Sequence, residues 1–433
     1  MRKIKVGVMG VYRGSSMIHY CERANNAEVV ALCDKWKEGL DAHKESYPDS
    51  NITYYDNFDD FIKHDMDAVV LANYANEHAP FAIKALKAGK HVFSEVLPCQ
   101  TMKEAVELIE AVEESGLIYA YGENYCYMPA PLEMKKLYQE GKIGELEFAE
   151  CEYLHNCESI WPSIAYGDPN HWRNNMYSTF YCTHSLGPII HVTGLRPVSV
   201  IGLESPLNER NNRMGAKGAS FGIEMVTLEN GGIVRSAHGG TYKDSIWYWI
   251  NGSKGVMESA REIVRTDSGV LKLYLKYDEY SGGYDTEKYE AYEPVGTHPE
   301  ESQGFGHGGS DFYSMWHFIE KIKGNENADI IDVYEAMDMY LPGMFAFRSI
   351  LKDSVPVEIP NLRNKEEREK WRNDTACTDP KIAGDQLLPT RKGGTPNIDP
   401  KVYEYQKLKW EEALQDKNSG HLAAALNSGK KKK

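Results

Sequence analysis

Residues 6–17 read V-G-V-M-G-V-Y-R-G-S-S-M, a short apolar run followed by a glycine-containing turn and a helix-forming segment. This order is typical of the first strand, turn and helix of a dinucleotide-binding domain, where backbone N–H groups and a helix N-terminus face a pyrophosphate. The usual G-x-G-x-x-G pattern is interrupted, because Tyr12 stands where the second glycine is expected. Gly10 and Gly14 still allow the backbone to approach a phosphate closely, and Arg13 could add a cationic donor.

The segments around this turn predict the fold of the first 125 residues. Apolar runs alternate with helical patterns, which indicates a parallel, doubly wound sheet. One helix is marked at its start by the capping box Thr101–Glu104 and at its end by Gly116. The predicted strands are Ile4–Met9, Val29–Cys33, Ala68–Ala72, His91–Glu95 and Ile118–Tyr121.

From about residue 145 the pattern changes to short strands, with Asn230-Gly231-Gly232 as a hairpin turn between two of them. A mostly antiparallel sheet is expected, followed by helices over Asp311–Lys323 and Val333–Lys352, the second kinked at Pro342. The predicted strands are Glu145–His155, Val198–Leu203, Ala219–Leu228, Ile233–Ala237, Trp247–Ile250 and Val270–Tyr277.

The predicted fold class is therefore α/β. Residues 1–125 form a Rossmann domain with a doubly wound parallel sheet. Residues 126–360 form an α+β domain with a mostly antiparallel open sheet for substrate binding and oligomerisation. The polar, irregular stretch 361–433 is predicted to be an extended C-terminal arm, ending in a solvated tail of lysines.

Asp34 ends the second predicted strand, about 24 residues after Gly10. At this spacing a carboxylate binds the hydroxyls of the adenosine ribose. Such a carboxylate favours NAD, because it would repel the 2′-phosphate of NADP. Lys35 and Lys37 follow closely, so NADP stays an alternative, and a turn or helix cap is the structural alternative for Asp34.

The composition limits the possible partners. The formal net charge of −15 over 433 residues argues against nucleic acid or an anionic membrane as the main partner. The chain enters a strand at once, with no signal-peptide apolar region and no 18-residue apolar span, so a cytoplasmic protein is expected.

The ligand-forming residues do not predict a metal site. The eight cysteines contain no C-x-x-C pair and are expected to be reduced and buried. His155, Glu158, His171, His184 and His191 could in principle gather around a metal, but none of them has a tight ligand spacing such as H-x-x-x-H. We therefore expect no metal.

The sequence resembles the Gfo/Idh/MocA oxidoreductases over roughly residues 4–360. The resemblance is carried by the first turn, by Asp34, by Asn76-Glu77-His78, by A-L-K-A-G-K-H-V-F-S-E ending at Glu95, and by D-V-Y-E-A-M-D-M-Y-L-P-G-M-F-A at 332–346. It implies a Rossmann domain, NAD or NADP as cofactor, and a sugar or polyol substrate. It also implies an open sheet that makes an oligomer contact, so a homodimer or homotetramer is expected.

One position departs from the dehydrogenases of this family, which usually carry Glu-Lys-Pro where this chain reads Glu95-Val96-Leu97-Pro98. Val96 cannot take a proton, so another group must act as the base if an alcohol is oxidised. A branch of NAD-dependent glycosidases that release α-linked N-acetylgalactosamine also has Glu-Val here. The chain is similar to that branch in several further segments, namely Glu123-Asn124, Tyr153-Leu-His155, Trp172-Arg173, Y-C-T-H-S-L-G-P at 181–188 and G-H-G-G-S-D at 306–311.

The resemblance implies a role for each matching position. His184 and Tyr181 are implied to line the sugar site. Because a histidine or tyrosine near the nicotinamide can take the proton of a sugar hydroxyl, we expect His184 to be the acid–base group and Tyr181 to be catalytic beside it, with packing as the alternative for Tyr181. The cofactor is implied to contact Gly10, Arg13, Gly14, Asp34, Ala75, Asn76, His78, Glu95, Val96 and Asn124. The sugar is implied to contact Glu123, Tyr153, Arg173 and Tyr242, of which Tyr242 is the hardest to align.

Three functions remain open on the sequence. The first is cleavage of a glycoside through transient oxidation of sugar C3 with recycled NAD. The second is a conventional NAD(P)-dependent sugar or inositol dehydrogenase, which the missing lysine disfavours. The third is a catalytically silent relative that binds sugar and NAD, supported only by the interrupted glycine turn.

Overall fold

Six parallel strands form the N-terminal sheet in the order β3-β2-β1-β4-β5-β6, in a computed structural model that describes residues 2–261, 273–278 and 287–415. The strands are β1 Ile4–Met9, β2 Ala27–Cys33, β3 Thr53–Tyr55, β4 Ala68–Leu71, β5 His91–Ser94 and β6 Tyr119–Tyr121. Helices cover both faces, namely α1 Ser15–Arg23, α2 Lys37–Ser46, α3 Phe58–Phe61, α4 His78–Lys87 and α5 Met102–Ser115. The predicted doubly wound parallel sheet is confirmed. The sequence analysis missed β3 and α3, which are too short to show a periodic pattern.

The second sheet has nine strands in the order β14-β13-β12-β11-β7-β10-β9-β8-β15. The strands are β7 Leu146–Leu154, β8 Pro197–Glu204, β9 Phe221–Leu228, β10 Ile233–Gly239, β11 Ser245–Gly252, β12 Gly255–Ser259, β13 Leu273–Asp278, β14 Glu287–Tyr292 and β15 Val357–Glu358. Neighbouring strands pair antiparallel except β7 and β10, which are parallel. The predicted mostly antiparallel sheet is confirmed, although β12, β14 and β15 were missed. Residues 270–272 of one predicted strand lie outside the described residues.

Eight further α-helices are described. They are α6 Pro129–Gln139, α7 Trp161–Ala165, α8 Thr183–Thr193, α9 Glu209–Met214, α10 Ser310–Ile322, α11 Val333–Leu351, α12 Lys365–Trp371 and α13 Pro400–Gln415. Short 3-10 turns occur at Ala75–Glu77, Asn124–Tyr127, Trp172–Asn175, His307–Gly309 and Gly384–Gln386. Pro342 lies inside α11, which continues beyond it to Leu351. In the part of the chain that is described, no helix combines the length and apolar character needed to cross a bilayer.

Helix α8 lies at the centre of the second domain, between the sheet and helices α6 and α11. Ten of its eleven residues, Thr183 to Val192, are buried, as expected of a helix that is covered on all sides. It ends at Gly194, whose φ of 69° is the left-handed conformation of a helix C-cap. The side chains of α8 are therefore enclosed by the neighbouring elements, so the position of the helix determines where they lie.

The C-terminal end of α8 is held by a buried polar network. His191 Nδ1 lies 2.6 Å from a Glu335 oxygen, and Nε2 lies 3.3 Å from Asp329. Lys135 of α6 also binds Asp329 at 2.7 Å. Burial and Lys135 oppose the charged imidazole, but the Glu335 and Asp329 carboxylates outweigh them and raise the pKa of His191 to about 9.

The segment 361–415 packs on both domains. Arg368 and Arg372 of α12 pair with Glu113 and Glu110 of α5, at 2.9 and 2.6 Å. Helix α13 lies against α7 and α9 of the second domain. The described part of the predicted arm is thus an ordered segment that connects the two domains, while 416–433 lie outside the described residues.

The His191 network predicts a pH dependence of stability. A folded-state pKa above the unfolded value stabilises the fold fully below about pH 6.5. That contribution is lost as the pH rises through about 9. We expect urea unfolding to show that the stability advantage of the wild type over His191→Gln is larger at pH 6 than at pH 9.5. An advantage that stays constant between these pH values would contradict this assignment.

Candidate active site

A cavity of about 1120 Å³ lies between the two domains, outside the carboxyl ends of the parallel strands. This is where open α/β sheets bind their ligands. Its lining comes from the turns after β1, β2, β4 and β5, from β7 and β10, and from α8. Most of the residues implied by the sequence meet here, namely Gly10, Arg13, Asp34, Ala75, Glu95, Val96, Asn124, Tyr153, Arg173, Tyr181 and His184.

The turn after β1 retains the geometry of a dinucleotide site. Gly10 has a φ of +92°, and a Cβ there would lie 2.4 Å from the carbonyl oxygen of Ala72. A Cβ on Gly14 would lie 2.4 Å from the carbonyl oxygen of Gly10. Both positions therefore require glycine. No acidic side chain occupies the first turn of α1, so its positive N-terminus is available for a pyrophosphate. Tyr12 lies at the cavity rim, 40% exposed.

Asp34 lies at the end of β2, where the sequence predicts the ribose carboxylate. Its oxygens accept hydrogen bonds from the backbone N–H groups of Val11 and Trp36, at 2.8 and 2.9 Å. Burial raises the pKa of Asp34 despite these bonds. The carboxylate lines the cavity beside Trp36, so its position fits the adenosine ribose of NAD.

Arg13 does not extend freely toward a pyrophosphate. Its guanidinium lies 2.7 Å from Glu95 and 3.2 Å from Asp311, and both carboxylates are buried. Burial raises the pKa of Asp311, but Arg13 and His307 outweigh it and hold the pKa well below its usual range. Asn124 donates a hydrogen bond to the same carboxylate at 3.2 Å. This network joins the dinucleotide turn to α10 and neutralises Arg13.

Val96 follows Glu95 after β5 and lines the cavity, so this stretch of wall presents an aliphatic side chain. A base is instead present on α8. His184 Nδ1 lies 2.8 Å from Oε1 of Glu123 and donates to it, while Thr183 Oγ1 donates to Oε2 at 2.7 Å. His184 Nε2 has no hydrogen-bond partner among the described residues. The ring is thus held in the tautomer that leaves Nε2 able to accept a proton.

Glu123 is fully buried behind this histidine. It also accepts a hydrogen bond from the backbone N–H of Tyr125 at 3.2 Å. The Tyr248 hydroxyl donates to the His184 carbonyl at 2.7 Å and fixes the backbone. Glu123 does not line the cavity, so it orients the histidine rather than contacting a sugar.

Aromatic rings surround His184. The ring centres of Tyr125 and Tyr153 each lie 4.7 Å from its own, and Tyr181 lies stacked at 5.7 Å. The Arg173 guanidinium lies over the rings of Trp172 and Tyr181 at 4.6 and 5.5 Å. Burial raises the pKa of Tyr181, partly offset by Arg173, and raises that of Tyr153 well above its usual value. Both phenols are therefore protonated donors near neutral pH.

Two family models match this chain. The model described as "Oxidoreductase family, NAD-binding Rossmann fold" matches residues 4–123, and "Glycosyl hydrolase 109, C-terminal domain" matches residues 223–372. The chain is similar to the Gfo/Idh/MocA oxidoreductases over its N-terminal domain, and that domain has an NAD-binding Rossmann fold.

Similar proteins agree with these two matches. A glycosyl hydrolase family 109 protein of Solibacter usitatus is 27% identical over 85% of this chain and 89% of its own length. A family 109 protein of a Shewanella species is 26% identical over 77% and 80%. Levoglucosan dehydrogenase in complex with NADH and L-sorbose has a TM-score of 0.65 at 18% identity, with 83% of this chain and all of that chain covered. This solved structure shows the shared fold.

The structure does not bring every residue implied by the resemblance to the cavity. Tyr242 is 88% exposed and lies outside it. Gly14, Asn76 and His78 also do not line it. His78 Nδ1 instead lies 2.9 Å from the carbonyl oxygen of Leu97, and burial lowers its pKa to about 4, so the neutral ring supports the turn that carries Val96.

The sequence analysis missed other cavity residues. His238 lines the cavity, and its Nε2 lies 3.1 Å from the buried Glu224, which makes a second imidazole–carboxylate pair. Tyr166 and Trp410 line the outer part. On β9 Glu224 is buried between the half-buried Ile223 and Met225, so no polar–apolar alternation marks the pair, and nothing local in the sequence places Trp410 here.

The geometry of Asp34 predicts its effect on cofactor choice. Asp34→Asn keeps the size of the side chain and removes its charge, so it should weaken NAD binding about tenfold and reduce the preference for NAD over NADP. Equilibrium titration with both reduced cofactors measures this change. Asp41→Asn, the same change at an exposed position of α2 outside the cavity lining, is the control. An unchanged ratio of the two affinities in Asp34→Asn would contradict a ribose role.

Proposed function

We propose that this protein cleaves a glycoside through transient oxidation of the sugar at C3, with NAD retained and reused. The observation that carries the proposal is the combination of Val96, where related dehydrogenases carry lysine, with a buried Glu123–His184 pair in the same cavity. The names of the sequence relatives, glycosyl hydrolase family 109 proteins, support the same class of reaction.

His184 is the base for the first step. Its Nε2 takes the proton of the C3 hydroxyl, and Glu123 stabilises the imidazolium that results. Bound NAD supplies reversible hydride acceptance at C3, so the complete cycle leaves no net change of redox state. Gly10, the N-terminus of α1 and Asp34 would hold the cofactor.

A ketone at C3 makes the neighbouring C2–H acidic, and elimination then needs a second base. His238 lines the cavity and can act as this second base, and Glu224 orients it in the way that Glu123 orients His184. His238 takes the C2 proton, the C1–O bond breaks, and the leaving oxygen takes that proton. Water then adds its hydroxyl at C1 and a proton at C2, and His184 returns its proton to the C3 oxygen as C3 is reduced again. Arg173, Tyr153 and Tyr181 are hydrogen-bond donors that can bind and orient the sugar hydroxyls.

Purified protein without added NAD is expected to release nitrophenol from nitrophenyl glycosides, with α- and β-linked N-acetylgalactosaminides tested first. Absorbance at 340 nm should stay flat, because no NADH accumulates. No product until NAD is supplied, and then steady NADH production with free sugars, would instead support the second candidate, a conventional sugar dehydrogenase. This candidate is favoured by the dehydrogenase titles of the solved structures with the same fold. Binding of NAD and sugar without either signal would indicate a silent relative.

Two substitutions test the roles of the histidine and its carboxylate. His184→Ala should lower kcat at least 100-fold, because general-base catalysis contributes about 10²–10⁴. Glu123→Gln keeps the side-chain shape but loses the tautomer control, and it should lower kcat by a similar factor with little change in KM. His298→Ala is the matched control, because His298 packs against Trp316 of α10 and does not line the cavity. Full activity of His184→Ala on the true substrate would disprove this assignment.

We also propose that the protein is a homo-oligomer through the outer face of the nine-stranded sheet. Cross-strand pairing aligns Ile201, Met225, Arg235, Glu150 and Trp249 in one row on the face opposite α8. Leu203 and Ile233, at 49% and 43% exposed, extend its apolar surface. Light scattering should show a dimer or tetramer for the wild type, and Met225→Glu should shift it toward the monomer. A monomeric wild type would contradict the proposal.

A further inference from the structure

Four aromatic side chains from four separate segments line the outer part of the cavity, Tyr12, Tyr74, Tyr166 and Trp410. We call them the aromatic bridge. Tyr12 and Tyr74 belong to turns of the Rossmann domain, Tyr166 ends α7, and Trp410 lies on α13. The rings of Tyr166 and Trp410 lie 5.1 Å apart, and the Tyr74 hydroxyl interacts with that of Tyr166. The bridge therefore connects the two domains over the cavity.

The bridge lies at the adenosine end of the dinucleotide site. Asp34 marks that end, because this carboxylate binds the adenosine ribose in Rossmann domains. Trp36, Glu38 and Ala42, which follow it in the chain, line the same cavity. Burial and Tyr166 raise the pKa of Tyr74, and the Asp34 charge adds to that shift, so Tyr74 lies within electrostatic reach of the ribose carboxylate.

Helix α13 is firmly held on the second domain. The Tyr403 hydroxyl donates to the carbonyl oxygen of Gly215 at 3.0 Å, and Gln406 donates to that of Arg213 at 2.7 Å. A Cβ on Gly167 would lie 2.4 Å from the backbone nitrogen of Lys407, so the helix and the loop after α7 are in close contact. With its first half fixed in this way, α13 presents Trp410 and Leu414 to the cavity.

We propose that Trp410, with Tyr166 and Leu414, forms the outer wall of the NAD site at its adenosine end, and that α13 retains the bound dinucleotide. An aromatic ring beside the adenosine can stack on the base and exclude water from it. A wall of this kind would slow the dissociation of NAD. None of the three residues lies in a stretch matched by the family models. Tyr166 lies between the two stretches, 4–123 and 223–372, and Trp410 and Leu414 lie after the second. The proposal requires NAD binding but not glycoside cleavage.

The test measures NAD dissociation from the full-length protein. Trp410→Ala removes the ring, and Leu408→Ala is the matched control, because Leu408 lies on the same helix, is 50% exposed and does not line the cavity. Each protein is loaded with NADH, excess NAD is added, and the loss of bound NADH fluorescence gives the dissociation rate. Trp410→Ala should release NADH about tenfold faster than the wild type, and Leu408→Ala should release it at the wild-type rate.

Two further variants separate loss of the wall from loss of the fold. Trp410→Phe keeps an aromatic wall and should restore slow release. Leu414→Ala removes a cavity contact from a side chain that is already 36% exposed, so it should accelerate release without unfolding α13. Unchanged release from both Trp410→Ala and Leu414→Ala, or equal acceleration in Leu408→Ala, would overturn the proposal. The measurement contains no sugar, so its result is independent of whether the protein cleaves glycosides.

Discussion

The buried carboxylate of Glu123 is the constraint on which the arrangement of this site depends. It follows β6 of the Rossmann domain, yet its hydrogen-bond partners Thr183 and His184 belong to α8 of the second domain. A carboxylate with no solvent exposure must have its acceptor sites filled, since an unpaired buried charge costs several kcal/mol. Satisfying Glu123 therefore fixes where α8 begins relative to the dinucleotide sheet, and the same bonds orient the imidazole. The hydrogen bonds of Glu123 therefore hold the two domains together and, on the proposed mechanism, also orient the His184 base.

The C-terminal end of α8 is also held by a contact between an imidazole and a carboxylate. His191 is held between Glu335 of α11 and Asp329, so the helix is attached by an imidazole–carboxylate contact near each end. Between them the helix is enclosed by the sheet and its neighbours, and small residues such as Gly187 allow that closeness, since a Cβ there would lie 3.1 Å from Glu123. A side chain on so constrained a helix has little freedom to reorient, which is what acid–base catalysis requires of its base.

The sequence predicted the elements whose signals are local. Continuous apolar runs and the Thr101–Glu104 capping box gave the parallel sheet and α5, and the capping box is present with both of its hydrogen bonds. Strand β14 (E-K-Y-E-A-Y) was missed because it is almost wholly exposed and has no apolar run, and β12 (G-V-M-E-S) and the two-residue β15 show no clear apolar pattern. Resemblance placed Glu123 with the sugar residues, whereas only the packing shows it behind His184. The second pair, Glu224 and His238, arises from strand pairing, in which Glu224 lies diagonally opposite His238. Trp410 reaches the cavity through the path of the whole arm, which no local pattern records.

The two departures from the usual fingerprints, Tyr12 and Val96, are consistent with one another on the proposed mechanism. A dehydrogenase must exchange its cofactor in every turnover, so it needs an open cleft and a base for a single net oxidation. A protein that returns the hydride to the same sugar does not need to exchange its cofactor. If NADH dissociates before the hydride is returned, that catalytic cycle cannot be completed. We propose that the tyrosine in the dinucleotide turn, as part of an aromatic bridge that ends at Trp410, serves retention of the cofactor rather than its exchange. On the proposed mechanism, Val96 stands where the dehydrogenases carry their lysine, and proton transfer would fall to imidazoles whose carboxylates hold them at fixed positions.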